Sequence, residues 1–464
     1  MRQLNINPKY LPITVQEEII KRTMEDAERT KRWVLIFVIG TKPCFYKFYG
    51  SVIEAEKAAI PYIILNSNQH YDSTLTYGAQ EFDYAKKIAV DFNIRGDLAE
   101  KAAELVTKTA WLAKYIKEKW PTVTAVPVVL GDTILTATVS AAWMFTRNEK
   151  AIHNEAGLRS MTPQVMKEAE KVSSEEFIQR QYTDQWHLQT NEPFPEQWDT
   201  FVASKGCEYL FTPLELNRQH LLREGHPDEK IWITGGVVVE ALEARKQEKP
   251  TESIFTAYPQ LENDSWVRVD IHRKENQIKG RTEAIVKGIK ELVERGHNVC
   301  FVEMNTTKDS LHKYNLMHVF ERLKEKKNFL YTPLWPEFAN VLEFYQSEHC
   351  LTALTDSCGV QEDMNLLHKP CITARFNTDR PETVTLVKNN VLAPPISASF
   401  FANTVDAVCK NDALLKEMTT QPNIYGEKVG EKFIGILKSF MEKGKRPMNW
   451  AHNDLGYDIE EERK

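Results

Sequence analysis

The sequence predicts an α/β protein of two similar domains, each with a mainly parallel β-sheet covered by helices on both faces. Short apolar runs suited to buried strands alternate with helix-length stretches, which is typical of such sheets. The alternation stops at a polar stretch, residues 245–253, and then starts again. A chain of 464 residues is also too long for one ordinary core. We therefore expect two sheets that face each other across a ligand-binding cleft.

The first domain is expected over residues 33–245, after a helical extension at residues 1–32. Residues 14–32 are charged and carry apolar residues at helical spacing, which predicts a helix there. Strands are predicted at residues 33–39, 61–65, 124–130, 208–211 and 230–233. Helices are predicted at residues 97–119 and 134–146. Residues 161–190 are polar and helix-prone, and we interpret them as an insertion in this domain beside the cleft.

The second domain is expected over residues 246–427, and residues 428–464 follow it as a helix and a charged tail. Strands are predicted at residues 266–271, 299–302, 350–354 and 370–373. Helices are predicted at residues 280–295, 310–325 and 428–442. In the tail, Trp450 is a candidate anchor.

Composition and charge argue against several classes of protein. The net charge of −6 offers no basic field for nucleic acid or an anionic membrane. The longest early apolar run, residues 33–40, is too short to span a bilayer, and we expect no secretory leader because no charged-then-apolar pattern is visible before it. The seven cysteines form no CxxC pair, which argues against zinc and against a disulfide framework. A cytoplasmic protein without a metal is the simplest expectation.

Clusters of charged residues follow several of the predicted strands. A carboxylate, a histidine and an arginine surround an Ala-Gly step in residues 151–160. Similar clusters occupy residues 131–133, 270–276 and 355–363. Residues of these types gather where parallel strands end and a charged substrate is bound.

These clusters belong to a series of motifs that extends from about residue 34 to about residue 430. The motifs are GTKP at 40–43 followed by Lys47, GDT at 131–133, HNEAGLRS at 153–160, Pro195-Glu196, HRKEN at 272–276, TDSCGVQED at 355–363 and TDRPE at 378–382. In this order they resemble the GTRPE…K, GDT, HxEAGLRS, PEExNR, HRxEN, TDSGGxQEE and TERPE motifs of the UDP-N-acetylglucosamine 2-epimerase family.

The resemblance implies a fold, a reaction and an assembly. The fold would be GT-B-like, with two Rossmann-like domains and a last helix, residues 428–442, that crosses back. The reaction would invert C2 of the sugar in UDP-GlcNAc by eliminating UDP to a glycal and adding it back, without a cofactor. The family also suggests a homodimer.

The resemblance assigns catalytic roles to Asp132, Glu155, Glu196 and His272. Inversion moves protons on two faces of the sugar, so more than one acid/base carboxylate is required. Mutual repulsion should keep at least one of the three carboxyl groups protonated near neutrality. Which of them takes the first proton is left open. His272 would donate to the diphosphate or to the leaving oxygen.

The resemblance also implies a set of residues that bind the UDP-sugar. They are Lys42, Lys47, Arg159, Arg273, Phe338, Ser357, Cys358, Gly359, Asp363 and Arg380. Backbone N–H groups of residues 357–359, at the start of a predicted helix, would hold a phosphate oxygen. Asp363 would contact the ribose. Phe338 either stacks on uracil or is a core residue.

Several positions depart from the family motifs. Lys42 replaces an arginine, Cys44 a glutamate, and Cys358 the first glycine of the GG pair. Gln197, Asp199 and Thr200 stand where the motif has Glu, Asn and Arg, and Asp363 is a shorter carboxylate than Glu. The acidic and phosphate-binding sets are retained, so these changes affect the identity of the sugar more than the class of reaction.

Bacterial non-hydrolysing family members carry a second, activating UDP-GlcNAc site. Residues 69–70 (Gln-His) retain part of its pattern, but Glu-Met-Asn at residues 303–305 replaces the expected histidine. We therefore expect weak or no activation by substrate.

Other functions remain open at this stage. A hydrolysing 2-epimerase would release UDP and free N-acetylmannosamine after the same elimination. A GT-B glycosyltransferase would transfer the sugar to an acceptor without exchange of the C2 proton. A non-catalytic UDP-sugar-binding protein would bind without turnover.

Overall fold

The computed structural model describes residues 2–4, 10–68 and 86–447, with the backbone alone at residues 2–4 and at Lys42. Its strands are β1 (Arg2–Leu4), β2 (Ile13–Val15), β3 (Val34–Ile39), β4 (Tyr62–Asn66), β5 (Ile88–Asp91), β6 (Ala125–Leu130), β7 (Ala151–Asn154), β8 (Met161–Pro163), β9 (Trp186–Leu188), β10 (Cys207–Thr212), β11 (Ile231–Ile233), β12 (Trp266–Asp270), β13 (Val299–Glu303), β14 (Phe329–Pro333), β15 (Cys350–Thr355), β16 (Cys371–Thr373) and β17 (Asn390–Leu392).

The α-helices are α1 (Glu17–Thr30), α2 (Lys42–Lys57), α3 (Leu98–Lys119), α4 (Ile134–Arg147), α5 (Ser174–Thr183), α6 (Glu196–Lys205), α7 (Glu215–Arg223), α8 (Val239–Arg245), α9 (Ile254–Ala257), α10 (Lys279–Glu294), α11 (Asn305–Lys313), α12 (Met317–Leu323), α13 (Phe338–Gln346), α14 (Cys358–Leu366), α15 (Glu382–Thr385), α16 (Ala398–Cys409), α17 (Asp412–Thr419) and α18 (Val429–Glu442). None of the helices in the described ranges is long and apolar enough to span a membrane.

The chain forms two compact units. The first unit contains Met1–Leu158, Phe194–Ala241 and Tyr425–Lys464, and the second contains Arg159–Pro193 and Leu242–Ile424. Arg159–Pro193 therefore groups with the second unit, whereas the sequence analysis treated residues 161–190 as an insertion in the first domain. Long-range packing explains this grouping, since Phe177 packs edge-on against Phe400 with ring centroids 5.1 Å apart. The side chain of Gln181 also pairs with the backbone N–H and C=O of Leu392.

The first unit is built on a nine-stranded sheet. Its strand order is β1-β2-β5-β4-β3-β6-β7-β10-β11, and all pairs are parallel except β1–β2 and β2–β5. The six residues of β3 are all buried because apolar clusters cover both faces of the sheet. The chain extends from β3 to β4 and β5 on one side and then crosses to β6 on the other. Ligands of open α/β sheets bind at such a reversal, outside the carboxyl ends of the strands.

The last helix of the first unit, α18, packs against α2. Their backbones approach closely, since a Cβ on Gly430 would lie 2.4 Å from the carbonyl carbon and oxygen of Gly50. Glu240 accepts a hydrogen bond from the N–H of Gly430 at 2.7 Å and so supports the start of α18. The helix predicted at residues 428–442 thus belongs to the first unit.

The second unit contains a parallel six-stranded sheet of order β14-β13-β12-β15-β16-β17. Its order reverses between β12 and β15, as it does between β3 and β6 in the first unit. A separate two-stranded antiparallel sheet joins β8 and β9. The single helix predicted at residues 310–325 is instead two helices, α11 and α12, because Asn315 adopts a left-handed conformation with φ of 55°.

Candidate functional site

Two of the predicted acidic residues, Asp132 and Glu155, lie at the carboxyl ends of β6 and β7. Gly131 follows β6 with φ of +64°, and a Cβ there would lie only 2.8 Å from Oε2 of Glu155. Glycine is therefore required both by the backbone conformation and by the approach of the carboxylate. The turn places Asp132 next to this contact.

Glu155 combines an unusual backbone with a buried ion pair. Its φ is 62°, which is rare for a residue with a side chain of this length. Lys47 Nζ lies 2.7 Å from both of its carboxylate oxygens. The exposed fractions of the two side chains are 17% for Lys47 and 1% for Glu155. The first unit thus holds a strained, desolvated carboxylate against one cation, which is typical of functional sites.

His153 connects the strand before Glu155 to the glycine turn. Its Nε2 donates to the carbonyl oxygen of Gly131 at 2.8 Å, and its Nδ1 lies 3.2 Å from the hydroxyl of Ser204. The side chain is fully buried. His153 therefore holds the turn that carries Asp132 rather than facing solvent.

A further carboxyl group lies beside the predicted ones. Asp199, on α6, is fully buried, and neither of its carboxyl oxygens has a hydrogen-bond partner among the described residues. Burial, together with the charges of Asp132 and Glu196, raises the pKa of Asp199 to about 8. Asp199 is therefore a carboxyl group whose setting favours the protonated form near neutrality, and it was predicted only as a departure from the motif.

Two of the basic residues predicted to bind UDP lie on α2. This helix begins at Lys42, after Thr41 in an extended conformation. Lys47 lies one turn further along α2 and is bound to Glu155. The side chain of Lys42, like the Gln-His pair at residues 69–70 and the tail residue Trp450, lies outside the described part of the chain.

In the second unit, Asp356 organises the loop after β12. Its carboxylate accepts the backbone N–H of His272 at 3.0 Å, the N–H of Arg273 at 2.9 Å and the amide of Asn276 at 2.9 Å. The ring Nδ1 of His272 lies 3.3 Å from Asp356 Oδ1, and the His272 side chain remains 34% exposed. One fully buried carboxylate at the end of β15 thus positions the HRKEN segment at the end of β12.

The N-terminus of α14 lies at the same edge of this sheet. Ser357 is the N-cap residue in an extended conformation, and α14 begins at Cys358. A Cβ on Gly359 would meet only Ser357 Oγ, at 4.0 Å, so space is open above the first turn. Free N–H groups and the helix dipole make such a terminus suited to an anion.

Cys358 takes part in a buried arginine cluster. Its thiol donates to Asp379 Oδ2 at 2.7 Å and accepts from Arg273 at 3.0 Å and Arg375 at 3.1 Å. Burial raises the pKa of the Cys358 thiol to about 11. Burial also opposes the ionisation of Asp379, but the charges of Arg375 and Arg273 hold the pKa of Asp379 well below its usual range. The cluster therefore keeps two guanidinium groups charged and fixed beside the start of α14.

The remaining predicted binding residues are held in ion pairs, ring contacts or the interior. Arg380 is buried, and its Nε lies 3.1 Å from Oε1 of Glu362. Asp363 and Arg159 are also buried. Phe338 begins α13, where the guanidinium of Arg245 lies over its ring at 4.9 Å.

Asp199, Asp356 and Arg375 were not among the predicted site residues. Asp356 lies within the TDSCGVQED motif, so the motif includes its position, but its hydrogen bonds to the loop after β12 were not predicted. Asp199 follows Glu196 by three residues, which places both on one face of a helix. No group of three or more His, Cys, Asp or Glu side chains suited to a metal ion occurs within residues 10–68 and 86–447.

Comparison with known proteins identifies the chain's relatives. The model of the UDP-N-acetylglucosamine 2-epimerase family matches residues 188–438. The UDP-N-acetylglucosamine 2-epimerase of Methanocaldococcus jannaschii is 29% identical over 412 residues, which cover 87% of this chain and 98% of the relative. That of Methanococcus maripaludis is 26% identical over 366 residues, which cover 77% of this chain and 86% of the relative.

Solved structures agree with these sequence matches. The crystal structure of the Methanocaldococcus jannaschii UDP-GlcNAc 2-epimerase, in complex with UDP-GlcNAc and UDP, superposes with a TM-score of 0.68 at 25% identity. The superposition covers 88% of this chain and 99% of that chain. The predicted two-domain α/β architecture is confirmed.

Proposed function

Because the chain belongs to the UDP-N-acetylglucosamine 2-epimerase family, we propose that it interconverts UDP-N-acetylglucosamine and UDP-N-acetylmannosamine without hydrolysis. A base removes the C2 proton while the C1–O bond to UDP breaks, and the electron pair forms the C1–C2 double bond of a glycal. UDP then adds back to C1, and an acid delivers a proton to the other face of C2. The protein must supply at least two acid/base groups and stabilise the charge on departing UDP.

The acid/base groups of the proposed reaction come from the first unit. Three carboxyl groups support the proposal, and we call them the carboxyl cluster: Glu155 approaches the turn at Gly131, and Asp132 and Glu196 both act on Asp199. Both carboxylate oxygens of Glu155 lie beside Lys47 Nζ, and we assign Glu155 the role of a base. Asp132 and Glu196 both act on the buried Asp199, so their charges lie near each other. The cluster would supply more than one acid/base carboxyl group, as inversion requires.

The second unit would hold the nucleoside diphosphate. The N–H groups at the start of α14 and the guanidinium groups of Arg273 and Arg375 provide donors for phosphate oxygens. His272, whose ring is partly exposed, would donate to the leaving oxygen. These donors act most strongly on departing UDP, because negative charge develops there as the C1–O bond breaks.

Proton NMR in D2O tests the proposal directly. With UDP-GlcNAc as substrate, we expect deuterium at C2 and the accumulation of UDP-ManNAc, with UDP free only in trace amounts. Release of stoichiometric UDP with N-acetylmannosamine would assign the hydrolysing reaction instead. Transfer of the sugar to an acceptor with its C2 proton retained would assign a glycosyltransferase. Tight binding without exchange would assign a binding protein.

Asp132→Asn separates chemistry from binding in the same assay. The variant should lose exchange at C2 by about 10²-fold or more, since a general acid/base group contributes about that much. Its affinity for UDP, measured by calorimetry, should stay within about threefold of the wild type, because Asp132 is not among the residues predicted to bind UDP. Unchanged exchange would remove Asp132 from the mechanism.

We propose also that the enzyme acts in the cytoplasm as a homodimer. All seven cysteines are free thiols, which suits a reducing compartment. The homodimer rests on the family resemblance. Multi-angle light scattering at micromolar concentration should give twice the chain mass of 53.6 kDa, and a mass of one chain would contradict the dimer.

A further inference from the structure

Asp199 occupies a setting in which an ionised carboxylate is strongly disfavoured. It is fully buried on α6, and within the described ranges neither oxygen accepts a hydrogen bond. Its own N–H is used by the helix, donating to the carbonyl of Pro195 at 3.0 Å. A buried carboxylate without donors takes up a proton rather than remain charged.

The surroundings of Asp199 add negative charge and little positive charge. Its electrostatic neighbours are the carboxyl groups of Asp132 and Glu196. Helix α4, which packs against α6, carries no ionisable side chain before Arg147 at its last turn. Other ionisable groups on nearby elements have contacts with other residues. Glu155 and Glu208 form ion pairs with Lys47 and Lys230. His153 contacts Gly131 and Ser204, and Lys205 donates to the carbonyl of Glu224.

The motif departures point the same way. The family motif PEExNR places Glu, Asn and Arg at the positions of Gln197, Asp199 and Thr200. A neutral amide is thus replaced by a carboxyl group, while the nearby arginine that could have paired with it is replaced by threonine. A protonated Asp199 keeps the neutral charge that the asparagine would have, whereas an ionised one would add an unpaired charge.

We propose that Asp199 is a positioning residue that holds a proton at neutral pH and so adds no third negative charge beside the carboxyl groups of Asp132 and Glu196. The inference rests on the proposed function, in which those two groups are catalytic. The proton on Asp199 limits the negative charge that acts on them. When it is lost, the added charge changes their ionisation and the reaction slows.

The dependence of kcat/KM on pH, measured between pH 6 and 10 with UDP-GlcNAc, tests the proposal. The wild type should lose activity along an alkaline limb with an apparent pKa near 8. Asp199→Asn, neutral and of the same shape, should keep neutral activity within about fivefold and lose that limb. A limb that is unchanged in Asp199→Asn would overturn the proposal.

Asp91→Asn is the matched control. Asp91 is a half-buried carboxyl group of the first unit, and burial raises its pKa against the hydrogen bonds of Asn93 and Asn66. It takes no part in the carboxyl cluster, so its variant should retain the wild-type alkaline limb. If both variants lose the alkaline limb, the limb would reflect the general stability of the protein, and a specific role for Asp199 would be contradicted.

Thermal unfolding gives a reading that does not depend on activity. The folded-state pKa of about 8 lies above the ordinary value of 3.8, so the folded protein binds this proton more tightly than the unfolded chain. The proton on Asp199 contributes fully to the stability of the folded protein below about pH 4, and this contribution is lost as the pH rises to about 8. The Tm of Asp199→Asn minus that of the wild type should therefore grow between pH 5 and 8. A difference that is independent of pH would show that Asp199 is ionised throughout, and would overturn the proposal.

The two readings separate failure of the inference from failure of the proposed function. A protein without epimerisation at any pH would refute the function, while the unfolding series would still decide the state of Asp199. If Asp199→Asn does not fold, Asp199→Ser takes its place in both measurements. Infrared detection of a protonated carboxyl group in the wild type at pH 7 then also tests whether Asp199 holds a proton. Absence of that infrared band would contradict the proposal.

Discussion

Lys47 Nζ contacts both carboxylate oxygens of Glu155 at 2.7 Å, although Glu155 is almost completely buried and has a positive φ. The residues are 108 positions apart in the chain, so the contact depends on the fold of the first unit rather than on a local motif. The lysine places a positive charge beside a buried carboxylate whose backbone is strained.

Lys47→Met should therefore reduce both stability and activity. Removing one partner of a buried ion pair costs about 2–4 kcal/mol after allowance for the partial exposure of Lys47. The loss of a fixed base should lower kcat by about 10²-fold. Urea unfolding and the C2 exchange assay measure the two effects.

Lys57→Met is the control on the same helix. Lys57 forms a 2.6 Å pair with Glu54, but its side chain is 66% exposed. Surface pairs contribute less than about 1 kcal/mol, so this variant should change neither measurement appreciably. If both variants lose equal stability, the burial of Glu155 would not be the source of the effect.

Gly131→Ala should impair activity beyond its cost in backbone strain. Its φ of +64° costs a residue with a Cβ about 1–2 kcal/mol, and that Cβ would lie 2.8 Å from Glu155 Oε2. The carboxylate must move, so kcat should fall by about tenfold or more.

Gly225→Ala isolates the strain from the contact. Gly225 has φ of +79°, but nothing lies within 4 Å of the position of its Cβ. Both variants should lose similar free energy of unfolding, and only Gly131→Ala should lose activity. Equal activities would mean that the carboxylate does not have to occupy its observed position.

Regular elements were predictable because burial of a parallel strand requires a continuous apolar run. Residues 33–39 and 124–130 are such runs, and they form β3 and β6 with a difference of one residue at the start. The motif residues were predictable as strand-end residues for a similar reason, since Asp132 and His272 each follow the end of a strand closely. Both predictions depend on local sequence alone.

Features that depend on long-range packing could not be predicted in this way. The membership of Arg159–Pro193 in the second unit is decided by contacts such as that of Gln181 with Leu392, 211 residues away. The burial of Asp199 was hidden because a polar residue on a helix is usually exposed. The ion pair of Arg380 with Glu362 was equally hidden, because an arginine in a motif gives no indication of its partner.

Asp356→Asn should weaken the binding of UDP. The carboxylate accepts three hydrogen bonds that fix the loop of His272 and Arg273, and its side chain is fully buried. An amide oxygen can accept fewer of them, so we expect a loss of about 1.5–3 kcal/mol in stability. The displaced donors should reduce UDP affinity, measured by calorimetry, by about tenfold or more.

Asp406→Asn provides the comparison. Asp406 accepts from Nε2 of His297 at 2.6 Å, away from the strand ends that carry the motifs. This variant should leave UDP affinity unchanged within about twofold. If both variants lose a similar amount of affinity, the effect of Asp356→Asn would not arise from displacement of the HRKEN loop.

Activation by a second molecule of substrate should be weak or absent. Glu303 begins the segment where the family's second site would have its histidine. Burial opposes its ionisation, but hydrogen bonds from Tyr331 and Lys308 hold the pKa of Glu303 below its usual value. A fixed negative charge at this place repels the diphosphate of a second UDP-sugar.

Steady-state rates measured against UDP-GlcNAc concentration should therefore follow a hyperbola with a Hill coefficient near 1. Glu303→Gln removes the charge and keeps the shape, so it tests whether repulsion is the cause. If repulsion alone excludes the second molecule, this variant should show a steeper dependence on substrate than the wild type. A steep sigmoid in the wild type would contradict the prediction, because it would require a coupled second site despite the charge.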